Sequence, residues 1–127
     1  MRMNFRQFSH EILIKPEDLG LAEYSSTTYV MELVSEFLKQ HNQSLNDICG
    51  FEVKLKKLSI DFRVMPDAPI ALDITITDLS KEANTIKFQA EGRAEGTIYA
   101  VTNAELAFYQ QGQIATLSDE ITSLFGC

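Results

Sequence analysis

The sequence predicts an α+β domain in which one long helix is backed by a curling antiparallel sheet. Two observations carry this. A helix-period stretch around Tyr29–Gln40 gives way after Asn46 to four strand candidates between Phe51 and Tyr109. No internal repeat, low-complexity tract or Pro/Gly/Ser linker divides the chain, so its 127 residues are expected to form one domain, 1–127.

Ser9–Lys15 reads as the first strand, and Pro16-Glu17-Asp18-Leu19-Gly20 has the composition of a turn. Ser25, Ser26, Thr27 and Thr28 then offer helix caps. In the helix that follows, Tyr29, Leu33, Val34, Phe37 and Leu38 form an apolar stripe, while Glu32, Glu36 and Lys39 face water. His41–Gly50 reads as a surface loop.

Leu58, Ile60, Phe62 and Val64 alternate with polar residues before Pro66 stops the strand. Upstream, Phe51, Val53 and Leu55 have the opposite parity, which predicts a bulge near Lys56-Lys57. Leu72, Ile74 and Ile76 give a second alternation, followed by a turn-like Asp78–Asn84, and Ile86, Phe88 and Ala90 give a third. After Gly96, the segment Thr97–Tyr109 directs Ile98, Ala100, Thr102, Ala104, Leu106 and Phe108 to one side. A short final helix is expected, started by Ser118-Asp119-Glu120, docked through Ile121, Leu124 and Phe125, and ended by Gly126.

A hydrophobic fraction of 45% suffices for a packed core. The net charge of -7 opposes nonspecific contact with nucleic acid or an acidic membrane, and Lys54, Lys56 and Lys57 are the only evident basic cluster. The N-terminus lacks the apolar core of a secretory signal, and no apolar run is long enough to span a bilayer. A soluble cytoplasmic protein is expected, with no nucleic-acid partner and no membrane insertion. Cys49 and Cys127 are expected to be reduced and structural. His10 and His41 lack Cys/His neighbours at ligand spacing, so no metal and no cofactor is expected.

This order resembles the hotdog fold, a five-stranded antiparallel sheet wrapped around one long central helix. It is most similar to the thioesterase branch typified by 4-hydroxybenzoyl-CoA thioesterase and its acyl-CoA relatives. The resemblance runs roughly from Phe8 to Leu124 and rests on Glu17-Asp18-Leu19-Gly20, Glu23-Tyr24-Ser25-Ser26, Tyr29, the long strand Val53–Val64 with its turn into Pro66, and the strands at Ile70–Asp78, Thr85–Ala94 and Thr97–Phe108. The sequence departs from the family in the loop, where the spacing from Gly20 to Tyr29 is longer and where Glu23, Ser25 and Ser26 stand in the region that often carries His or Asn.

The resemblance implies a thioester hydrolase acting on acyl-CoA or acyl carrier protein, with Glu17 or Asp18 as the catalytic carboxylate. Thioester hydrolysis needs an activated water or a carboxylate that attacks the carbonyl, and backbone N–H groups near Tyr24–Thr27 are expected to hold the developing oxyanion. Glu23 is an alternative polar-site residue. Glu32 and Glu36 are alternatives because another hotdog branch places its carboxylate on the long helix. Each acidic residue also has an ordinary reading as a solvated charge, and Ser25 and Ser26 as caps without an activating His. Tyr24, Ser25, Ser26, Tyr29 and Leu33 are candidates for the acyl site. Lys54, Lys56, Lys57 and Arg63 are candidates for CoA phosphates or an acidic carrier. An isolated wrapped sheet exposes an edge, so a homodimer or dimer of dimers is expected. A dehydratase, or a noncatalytic acyl-binding or assembly protein, is the alternative on the same fold.

Overall fold

The computed structural model describes residues 3–16 and 22–127, with side chains described at 3–16 and 27–127. A 3-10 turn at Phe5–Gln7, closed by a reciprocal capping box between Asn4 and Gln7, leads into β1 (Ser9–Ile14). The long helix α1 (Ala22–Lys39) follows, then β2 (Glu52–Phe62), β3 (Ile70–Lys81), β4 (Thr85–Ala94), β5 (Thr97–Gln110), the two-residue β6 (Gln113–Ile114) and α2 (Asp119–Phe125).

Every pairing is antiparallel, in the order β1-β3-β4-β5-β2, with β6 added to β5. Among the described residues β1 and β2 therefore end the sheet, each with one strand neighbour. β4 turns into β5 through Glu95 and Gly96, both at positive φ (52° and 78°), the backbone of the tight hairpins that match strand twist. The expected bulge is present: the β2–β5 register shifts between Leu55 and Lys57.

The concave face carries Leu72, Ile74, Ile76, Ile86, Phe88, Leu106 and Phe108, all buried. Against it α1 packs Tyr29, Val30, Leu33, Val34, Phe37 and Leu38, a stripe at helical spacing. One end of this core is aromatic, with the Phe5 ring 4.8 Å from Phe37, 5.0 Å from Phe88 and 5.2 Å from Phe125 between centroids. α2 closes that end through Ile121 and Phe125, with Ser118 as its N-cap and Gly126 as a left-handed C-cap.

Three boundaries differ from the sequence reading. α1 already includes Ala22, so Ser25–Thr28 lie inside the helix and not at its cap. β2 stops at Phe62; the Arg63 and Val64 amides both turn to the Tyr99 carbonyl, and Val64 is exposed. β3 runs to Lys81, through what composition marked as a turn. A bulge between Ile76 and Asp78 changes parity there and turns Leu79 inward, where it is buried.

Candidate functional site

The helix that fills the sheet also borders a concavity beside it. Thr28, Met31, Glu32 and Ser35 recur at helical spacing on the flank next to the apolar stripe, and with Thr27 and Leu45 of the following loop they line a groove of about 540 Å³. Glu32 is exposed in this groove among hydroxyl groups and the Met31 thioether. Glu36, one turn on, is instead engaged by Lys39 at 3.1 Å. Of Glu32 and Glu36, Glu32 is thus the one facing a concavity that a ligand could enter.

Glu17 and Asp18 lie outside the described residues, as do the side chains of Glu23, Tyr24, Ser25 and Ser26. What is described is their frame: β1 ends at Ile14 and α1 includes Ala22, and Glu17-Asp18 falls between the two in sequence. Ser26 and Thr27 lie a full turn into α1, where amides are taken up by the helix's own hydrogen bonds.

Tyr29 and Leu33 sit on the opposite flank, against the sheet, and are 5% and 0% exposed. Among the described residues, the Tyr29 hydroxyl and the Thr102 hydroxyl are buried without a hydrogen-bond partner. Burial pushes the Tyr29 phenol up to about 12; the neighbouring Thr102 hydroxyl opposes that shift but falls short of hydrogen-bond geometry, so burial prevails. Sequence reasoning placed Thr102 only as a lining residue of its strand. The available signal was a hydroxyl in the inward parity of an otherwise apolar run, Ala100-x-Thr102-x-Ala104.

The basic candidates lie along β2 and just beyond it, and each has an acidic neighbour. At the bulge, Lys56 and Lys57 both approach the Glu105 carboxylate at 3.9 Å, and the Glu105 side chain is 8% exposed. Lys54 stands 3.7 Å from Glu52 and 4.9 Å from the Tyr109 ring centroid. Arg63 and Asp61 face each other at 3.9 Å, both exposed. The convex face near Glu105 is polar, crossed by hydrogen bonds from Thr77 to Gln89 and from Gln89 to Asn103. A depression of about 280 Å³ there is lined by Asp78, Ser80, Lys87, Gln89 and Glu105, among others.

His41 is 2.7 Å from the Met3 carbonyl and His10 stacks on Phe8. Cys49 and Cys127 are free thiols. Among the described residues no group of His, Cys, Asp and Glu is arranged to hold a metal ion, and no helix is long and apolar enough to cross a membrane.

No family model matches the chain, and no curated protein is significantly similar to it in sequence. Its architecture does match solved structures. A hypothetical protein from Aquifex aeolicus superposes with a TM-score of 0.77 at 16% identity, over 93% of this chain and 98% of the other. A Staphylococcus aureus protein solved in complex with CoA gives 0.74 at 12% identity, over 98% and 84%. A 1,4-dihydroxy-2-naphthoyl-CoA thioesterase from Synechocystis gives 0.67 at 15% identity, over 94% and 95%. At these identities the likeness concerns the fold: a curled antiparallel sheet and two helices in the same arrangement.

Proposed function

From the hotdog fold, we infer that the protein is an acyl-thioester hydrolase. The observation that carries this reading is the groove beside α1, which holds an accessible carboxylate, Glu32, on a fold shared with a thioesterase and with a CoA-binding protein. The acyl group lies along α1, and the thioester carbonyl is held by amides at the helix start, where the aligned peptide dipoles favour developing negative charge.

Two placements of the catalytic carboxylate follow. Glu17 or Asp18, in the connection leading into α1, is the placement that the family resemblance favours. Glu32 is the placement that the groove favours, since a carboxylate must stand within hydrogen-bond reach of the attacked centre or of its water. Either residue acts as general base toward water or as direct nucleophile.

The other half of the substrate is CoA or a carrier protein's phosphopantetheine. Lys54, Lys56, Lys57 and Arg63 are the cations along β2 and the segment after it that would meet its phosphates or an acidic carrier helix. Their carboxylate neighbours make this a balanced surface, so attraction depends on local geometry and weakens with salt. A second copy adds along β2: the strand has a free edge, and Leu55, Leu58, Ile60 and Phe62 on it are only half-buried.

The test is thiol release from aryl, short-chain and long-chain acyl-CoA and from the same acyl groups on acyl carrier protein. Hydrolysis of one class well above the uncatalysed rate is expected. Binding of acyl-CoA without any release of thiol from either carrier would overturn the hydrolase reading in favour of acyl binding without hydrolysis.

A further inference from the structure

We infer the register in which two copies join along β2: an antiparallel pairing centred on Ser59, with Lys57 of each copy directly opposite Asp61 of the other. The inference rests on the edge assembly proposed above and fixes the residues that make it.

The part of the edge that can take a strand is short. Upstream, the Val53 amide already donates to the Leu45 carbonyl at 2.9 Å, so the loop before β2 occupies the outer side there. The bulge between Leu55 and Lys57 then interrupts the run, and β2 ends at Phe62. Lys57–Phe62 is what remains, and among the described residues no strand lies on its outer side. The Arg63 amide turns to the Tyr99 carbonyl of β5. The alternation of an antiparallel ladder therefore points the amides of Ser59 and Asp61 to β5 and those of Leu58, Ile60 and Phe62 to the open edge.

The side chains then choose the register. Lys57, Ser59 and Asp61 share the convex face, and Leu58, Ile60 and Phe62 the concave one. A pairing that keeps each face together slips only in steps that preserve this alternation. With Lys57 on the two-fold axis Lys57 meets Lys57, and with Asp61 there Asp61 meets Asp61; like charges directly opposite are destabilising. With Leu58 or Ile60 on the axis, one charged residue stands against Ser59 and no ion pair forms directly across the seam. Ser59 on the axis is the register that sets Lys57 against Asp61, and the symmetry makes that pair twice. Both side chains are open to it: they are 75% and 73% exposed, and their ion-pair partners within the chain, Glu105 and Arg63, each stand 3.9 Å away. On the concave face the same register sets Leu58 of each copy against Ile60 of the other, so half-buried apolar side chains cover one another and the concave floor runs from one copy into the next.

A cysteine series reads the register directly. Opposed residues on the axis at Ser59 form a pair without backbone hydrogen bonds, whose Cα atoms lie about 4.5 Å apart, within the reach of a disulfide. Ser59→Cys under mild oxidation should give a covalent dimer with the link mapped to position 59 by mass spectrometry, while Lys57→Cys and Asp61→Cys stay unlinked at those positions. Sedimentation of charge variants is the second arm. Lys57→Glu and Asp61→Lys should each weaken dimerisation roughly tenfold or more, and an equimolar mixture of the two should recover it, because each variant then faces the opposite charge. Should Lys57→Glu fail to fold beside Glu105, the cysteine series still decides. A link at 57 or 61 in preference to 59, no link at 59 in a protein that sediments as a dimer, or folded charge variants that dimerise like wild type overturns the register alone. A persistent monomer overturns the edge assembly and the register together.

Discussion

Burial of the phenol leaves a signature at Tyr29 that alkaline titration reads directly. The group's ordinary value is near 10 and its folded value is about 12. The stability tied to a raised folded value is present below about pH 10 and is lost as pH rises through about 12. Wild type should therefore lose urea resistance between pH 10 and 12 that Tyr29→Phe keeps. The phenolate absorbance of wild type minus variant should rise near pH 12; a rise at pH 10 would show the phenol to be solvated. The thiols give a second residue-level expectation. Burial raises both Cys49 and Cys127; the charges of Glu120 and Asp47 add to this at Cys49, while Lys81 and Arg6 oppose it at Cys127. Both thiols should alkylate more slowly at pH 8 in the folded protein than in urea, and a faster folded-state reaction at either one would contradict the burial. At this scale the sequence exposed candidate residues but not their company. Lys56 and Lys57 were visible as a basic cluster, whereas the Glu105 carboxylate beneath them comes from a strand nearly fifty residues away in the chain and is brought there only by the β2–β5 register.

Among the elements, α2 gives the sharpest test of local chemistry. Gly126 has a φ of +87°, and an added Cβ would lie 2.8 Å from Asn4 Cγ, so left-handed strain and a collision act together. Gly126→Ala should cost about 1–3 kcal/mol in urea unfolding; an unchanged midpoint would mean that the tail is not docked as described. The two bulges show what patterning reveals and what it hides. In β2, apolar residues stand on both sides of Lys56, so the parity change is readable. In β3 the second parity is marked by Leu79 alone, amid Asp78, Ser80 and Lys81, and the strand is concealed behind turn-like composition. The start of α1 was misplaced for a related reason. Ser25–Thr28 are hydroxyl residues that compete for backbone hydrogen bonds and favour caps, yet here they continue a helix whose later turns are locked onto the sheet. Tertiary packing overrides weak propensity.

The whole molecule has a sheet that curls around its helix without closing, and β2 is its longer free edge, with a half-buried apolar face. Sedimentation at micromolar concentration should show at least twice the 14.3 kDa of one chain; a persistent monomer would contradict assembly through this edge. The overall architecture was legible because periodicity, strand count and element order all agree. The catalytic group was less so, since any solvated carboxylate near a turn has the same appearance in sequence. That ambiguity is what steady-state thiol release can resolve, with the best thioester substrate and the near-isosteric variants Glu17→Gln, Asp18→Asn and Glu32→Gln beside wild type. One variant should lose roughly a hundredfold or more in kcat while its folding and substrate affinity persist. If wild type turns the substrate over and all three variants match it, none of Glu17, Asp18 and Glu32 performs the chemistry, and the account of this site is wrong.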